Sequence, residues 1–159
     1  MNPDFGPAYF NRGNSYMFEE EHECAIEDYT EALRLNPEYA DAFSNRGGAY
    51  SSIGDYDLAI DDYTEAIRLN PKEAVFFRNR SYAHNRSSQH SLALDDSNMA
   101  IDLDGEVVEA YAYRGIAYIL LGKPSEAEAD FAKAVELGFD RDVIDREIEE
   151  VKRLKEESE

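Results

Sequence analysis

The chain has 159 residues, 43% of them hydrophobic and 12% aromatic, a composition that can build a packed core and is unlike that of a disordered chain. Its 35 acidic and 16 basic residues leave a net charge of −19, which argues against nucleic acid or an anionic membrane as partner, because phosphate neutralisation needs clustered cations. No apolar run approaches the roughly 18 residues of a membrane span, and Cys24 stands alone, so a cytoplasmic, reducing setting without an intrachain disulfide is expected.

The first ten residues, MNPDFGPAYF, have neither the basic start nor the apolar core of a secretion signal. From there the phrases FNRGNSY, SNRGGAY, RNRSYAH and AYRGIAY recur, placing Arg12, Arg46, Arg80 and Arg114 at a constant spacing of 34 residues. Self-similarity at this period marks a stack of identical supersecondary units. Four units follow, 6–39, 40–73, 74–107 and 108–141, and positions within each are numbered here as slots 1 to 34.

In the first unit, Tyr9, Gly13 and Tyr16 share one face of a first helix (helix A), and Ala25, Tyr29 and Ala32 one face of a second (helix B). The second unit repeats this with Phe43, Gly47 and Tyr50, then Ala59, Tyr63 and Ala66. The third has Phe77, Ser81 and His84, then Ala93, Ser97 and Ala100, so three of its ring or glycine slots have become polar. The fourth returns to pattern with Tyr111, Gly115 and Tyr118, then Ala127, Phe131 and Ala134. Stretches such as IGDY and LGKP mark the turns between A and B. At Asn36-Pro37 and Asn70-Pro71, Asn is expected to cap the next helix with Pro at its first position. Residues 142–159, DVIDREIEEVKRLKEESE, read as one more helix. Its apolar stripe is Ile144, Ile148 and Val151, with Val143 and Leu154 flanking, and it is expected to cap the fourth unit.

Small residues at slots 8, 20 and 27, with rings at 4, 11 and 24, resemble the tetratricopeptide repeat (TPR) family over about six-sevenths of the chain. The resemblance implies one all-α domain over 1–159, a right-handed α-solenoid of four helix hairpins plus a C-terminal capping helix. It also implies a non-catalytic protein-protein interaction scaffold that takes an extended peptide along a concave face lined by helix A. A self-associating module and a regulatory subunit of an enzyme complex are the alternatives.

The family's usual leucine at slot 7 is arginine in all four units here, and slot 23 is always aspartate: Asp28, Asp62, Asp96 and Asp130. In an antiparallel hairpin these slots come almost opposite, and a buried charge is costly unless matched. Structural ion pairs of Arg12, Arg46, Arg80 and Arg114 with these aspartates are therefore expected, within or between units. The rival reading has the arginines holding a ligand's carboxylate or phosphate.

By the same resemblance, the concave face is lined by slots 2, 5, 6, 9, 12 and 13. One subgroup of the family grips acidic chaperone tails with two asparagines and three cations. Matched slot by slot, Asn14 and Asn45 supply the asparagines, but Phe10, Val75 and Asn79 stand where the cations belong, so this clamp is not expected. The candidate peptide-binding residues are Asn14, Asn45, Arg78, Tyr82, Asn85 and Arg86, with the arginines of the third unit as its chemical centre. His22 and Cys24 among glutamates lack the second ligand cluster of a zinc site. No phosphate loop or nucleophile arrangement occurs, and no enzyme activity, metal or cofactor is expected.

Overall fold

The computed structural model describes residues 6–158, with side chains placed as far as Arg153; Leu154 lies outside the described side chains. The described residues form nine α-helices: α1 (Gly6–Phe18), α2 (His22–Leu35), α3 (Ala40–Ser52), α4 (Tyr56–Leu69), α5 (Ala74–Arg86), α6 (His90–Leu103), α7 (Val108–Leu120), α8 (Pro124–Glu136) and α9 (Arg141–Ser158). The chain divides into two compact units, 1–72 and 73–159. In the first, α1 pairs with α2 and α3 with α4, and α3 packs on α2. In the second, α5 pairs with α6 and α7 with α8, α7 packs on α6, and α9 lies against α7, α5 and α8. Among the described residues no helix is long and apolar enough to cross a membrane.

Every A-to-B turn is made the same way. Slot 15 is left-handed in all four repeats, with φ of 60° at Glu20, 88° at Gly54, 59° at Ser88 and 75° at Gly122. The next amide then reaches back to the carbonyl of slot 11: Glu21 N–H to Tyr16 at 2.9 Å, Asp55 to Tyr50 at 2.9 Å, Gln89 to His84 at 2.8 Å and Lys123 to Tyr118 at 2.8 Å. This backward bond closes helix A and reverses the chain into helix B.

The B-to-A connection differs from the sequence expectation. Asn36 and Asn70 do not cap the following helix; each ends the preceding one, extended at φ −138° and −136°, with its amide bonded to Ala32 or Ala66. The Asn36 side chain instead accepts the Glu38 amide at 3.2 Å, and α3 opens after Tyr39 with no side-chain cap. Proline belongs in that turn because it can neither continue helix B nor donate a bond within it.

Packing within each hairpin rests on alanine and on one ring-to-glycine contact. All eight alanines at slots 20 and 27 are fully buried, so the two helix backbones approach closely. Slot 24 then lays its ring on the bare backbone of slot 8. A Cβ added to Gly13 would sit 2.7 Å from Tyr29 Cε1, one on Gly47 2.9 Å from Tyr63 Cε1, and one on Gly115 would collide with Phe131. The third repeat solves the same site with polar atoms: the Ser81 and Ser97 hydroxyls lie 2.6 Å apart, and Ser81 donates to the Ala93 carbonyl at 2.9 Å. Ring against glycine and serine against serine are two fillings of one gap.

Candidate functional site: the helix-A faces

The four arginines at slot 7 face their own repeat. Arg46 donates from Nε to Asp62 Oδ2 at 2.8 Å and from Nη2 to Oδ1 at 2.7 Å. Arg80 makes the same fork on Asp96 at 2.7 Å for both bonds, and Arg114 on Asp130 at 2.8 and 2.6 Å. Arg12 does so on Asp28. The spare guanidinium nitrogen reaches back to the preceding repeat within each unit, Arg46 Nη1 to Thr30 Oγ1 at 3.0 Å and Arg114 Nη1 to Asn98 Oδ1 at 2.8 Å. One side chain thus ties helix A to its own helix B and to the helix B before it, as only a flat fork of donors can.

Rings at slots 4 and 11 flank the guanidinium, which lies 5.7 Å from the Phe43 centroid and 6.0 Å from that of Tyr50 at Arg46. The aspartates are buried while the arginines keep part of their edge in solvent, 18% exposed at Arg46 and 41% at Arg12. The bond to Asp62 pushes the Arg46 pKa up. Burial drives the Asp62 carboxyl upward against the opposing pull of that guanidinium. At every slot 7 the Nε and Nη2 donors of the fork are thus already taken by the aspartate of the same repeat.

The candidate groove residues fall into two groups, one in each unit. In the first unit, Asn14 on α1 and Asn45 on α3 meet: Asn45 Nδ2 donates to Asn14 Oδ1 at 2.8 Å, and the buried Tyr29 hydroxyl donates to the same oxygen at 2.7 Å. Burial lifts the Tyr29 phenol to about 12, so it stays a donor across the accessible pH range. Both amides are half-buried, and among the described residues of this unit no further helix lies over α1 and α3.

In the second unit the same slots hold Tyr82 and Tyr113, their ring centroids 5.3 Å apart. Around them the groove is already filled. Arg78 donates to Glu109 Oε1 at 2.8 Å. Asn85, buried, donates to the Tyr113 carbonyl at 2.8 Å. Arg86 is only 9% exposed; its Nη2 lies 2.7 Å from Glu150 Oε1 and its Nη1 3.5 Å from Glu147 Oε2, both on α9. The bond from Arg86 holds Glu150 below the usual carboxylate range, while burial pushes Glu147 up. The third repeat's two arginines, expected to be the chemical centre of the peptide-binding residues, are matched by carboxylates of the chain itself. Nor does α9 cap only the fourth repeat, since it reaches α5 as well.

Sequence reasoning missed Glu109, Glu147 and Glu150. Glu109 could have been found, since it occupies slot 2, next to slot 5 of the preceding repeat. Among the described residues no group of His, Cys, Asp and Glu is placed to hold a metal ion.

Stacked helix hairpins with an alanine-lined seam and a repeating surface of helix A define an all-α solenoid. Tetratricopeptide repeat family profiles match residues 13–54, 40–73 and 108–139. No curated protein matches the sequence. Among solved structures, MamA is 26% identical and superposes with a TM-score of 0.80 over 86% of this chain and 80% of its own. The first TPR of Spaghetti (RPAP3), bound to the HSP90 peptide SRMEEVD, is 31% identical with a TM-score of 0.64 over 72% of this chain and 90% of its own. The first TPR domain of human RPAP3 is 30% identical with a TM-score of 0.65 over 77% and 96%. The chain belongs to the tetratricopeptide repeat family, whose fold supports a protein-interaction scaffold.

Proposed function

We propose that the chain is a non-catalytic cytoplasmic scaffold whose helix-A face in the first unit receives an extended peptide. The observation that carries this reading is the Asn14–Asn45 pair. Asn14 gives its carbonyl oxygen to two donors, Tyr29 and Asn45, which fixes both amides before any ligand arrives. The Asn14 NH2 and the Asn45 carbonyl take no part in these two bonds and would serve a peptide C=O and N–H, one acceptor and one donor of a passing backbone. Preset side chains bind with little ordering cost.

The peptide recognised is not of the acidic chaperone-tail kind, because Phe10, Val75 and Asn79 replace the cations that such a tail requires. Phe10, its ring tilted against that of Tyr39 with centroids 4.7 Å apart, makes that end of the face apolar instead. Selection from a displayed peptide library, followed by calorimetry on the winning sequence, tests this. Asn45→Ala, which spares the Tyr29–Asn14 bond, should weaken binding at least about tenfold, roughly 1.4 kcal/mol, with little change in melting temperature. SRMEEVD serves as the negative control. Equal affinity of parent and variant for the selected peptide removes the reading.

A further inference from the structure

The exit from α8 is unlike every other exit from a helix B. Asn36, Asn70 and Asp104 leave extended, at φ −138°, −136° and −149°, and within each unit this lays the next helix A against the preceding helix B. At the same slot stands Gly138, left-handed at φ 100°. Phe139 N–H returns to the Ala134 carbonyl at 2.9 Å and Gly138 N–H to Val135 at 3.0 Å, the same backward closure that the A-to-B turns use. The chain therefore reverses again, and α9 runs over α7 and on to α5 instead of taking the place of a fifth helix A.

What α9 covers is the concave set of slots. Ile144 and Val151, fully buried, and Ile148 join one cluster with Ala112, Tyr113, Ile116, Ile119 and Leu120 of α7. Three and six residues beyond Ile144, Glu147 and Glu150 reach Arg86. An apolar stripe at i, i+4 and i+7 beside carboxylates at i+3 and i+6 fits a greasy strip edged by an arginine.

We propose that this face of the second unit is a docking groove for an acidic amphipathic helix of a partner protein, and that α9 is its built-in occupant, displaced when such a helix binds. This rests on the reading that helix-A faces receive partners, but on the second unit and with a helical ligand, so its test is independent of the asparagine pair. The groove itself states the ligand chemistry: aliphatic side chains along one stripe and carboxylates for Arg86. A helix-in-groove contact of this type depends on such spaced anchors.

The probe is a fluorescent peptide of residues 140–158, DRDVIDREIEEVKRLKEES, added in trans to the full chain. Glu147→Lys with Glu150→Lys weakens the internal occupant and leaves the groove untouched; Glu147→Gln with Glu150→Gln serves if the reversed pair fails to fold. The variant should bind the probe at least tenfold more tightly than the parent, with loss of amide protection in α9 on binding. Adding Arg86→Glu should abolish that gain, because it repels the probe and re-pairs with the lysines of α9. In the Arg86→Glu single variant, whose own α9 is repelled, a probe carrying lysine at both glutamate positions should bind at least tenfold more tightly than the unaltered probe. Equal affinity in parent and variant, or tight binding indifferent to Arg86→Glu, overturns the proposal. A concentration-dependent dimer of the variant in light scattering would assign the groove to a second copy of the chain and overturn it too.

Discussion

The two units are built from the same hairpin, yet they treat the same slots in opposite ways. On the first, slots 9 and 6 of neighbouring repeats hold a linked pair of amides with no helix of that unit above them. On the second they hold a pair of tyrosines, and α9 lies across the helix-A face. Their interiors diverge too: ring on glycine in the first, second and fourth repeats, serine on serine in the third. What the units share is the Arg–Asp fork. The constant part of the chain is therefore its charged frame, and the variable part is the surface that the frame presents.

If the frame is common, breaking it must hurt both units alike. Arg46→Ala and Arg80→Ala each leave a buried aspartate without its fork, and each should cost about 3–5 kcal/mol. The exposures of Arg46 and Arg80 are nearly equal, at 18% and 20%, as are those of their aspartates, at 7% and 6%. Arg12, more than twice as exposed, should matter less. Chemical denaturation measures all three. A cost at Arg80 several-fold smaller than at Arg46 would show that the frame is not shared.

The next largest effect should separate the interiors. Gly47→Ala pushes a methyl into the Tyr63 ring and should cost about 1–3 kcal/mol by overpacking. In the third repeat Ser97→Tyr should do similar harm, because the new ring meets the Ser81 side chain. Ser81→Gly added to Ser97→Tyr should recover most of the loss, a favourable coupling of about 1 kcal/mol or more. A double variant no more stable than the Ser97→Tyr single would mean that the serine pair answers to something other than the size of the gap.

Much of this was legible in the sequence because the repeat supplies four trials of one design. Alanine at slots 20 and 27 marks the seam, and an arginine answered by an aspartate sixteen residues later in every repeat marks the fork. Whether the fork closed within a repeat or across repeats depended on a side-chain path that spacing does not contain. In fact Nε and Nη2 stay within the repeat, and at Arg46 and Arg114 the remaining nitrogen reaches the one before. The Asn-Pro pairs misled because Asn suits both ends of a helix, and only the backbone angle says which. The path of α9 was hidden for a related reason. Its stripe shows that it packs, but its direction turns on one torsion at Gly138, and the partner of Arg86 lies 64 residues away in sequence.

The smallest expected effect concerns His84, which occupies the slot held by Tyr16, Tyr50 and Tyr118 in the other repeats. Its Nδ1 lies 3.1 Å from Gln89 Oε1 and its Nε2 3.6 Å from Asp96 Oδ2, with Arg80 close by on the same carboxylate. Burial lowers its pKa from 6.5, outweighing the attraction of Asp96. The unfolded chain therefore takes up a proton near pH 6.5 while the folded repeat resists it. Stability from the neutral ring is complete above that pH and is lost as pH falls toward the lowered value. Glu147 acts in the other direction, since its pKa is raised by burial and its carboxyl is better tolerated as it protonates. The melting temperature of the parent alone mixes the two, and the difference between parent and His84→Tyr isolates the ring. That difference should shift in favour of the variant between pH 7.5 and 5.5. A difference that stays constant across this range would mean that the histidine is neutral in both states, or charged in both, and that the third repeat's polar interior is insensitive to acid.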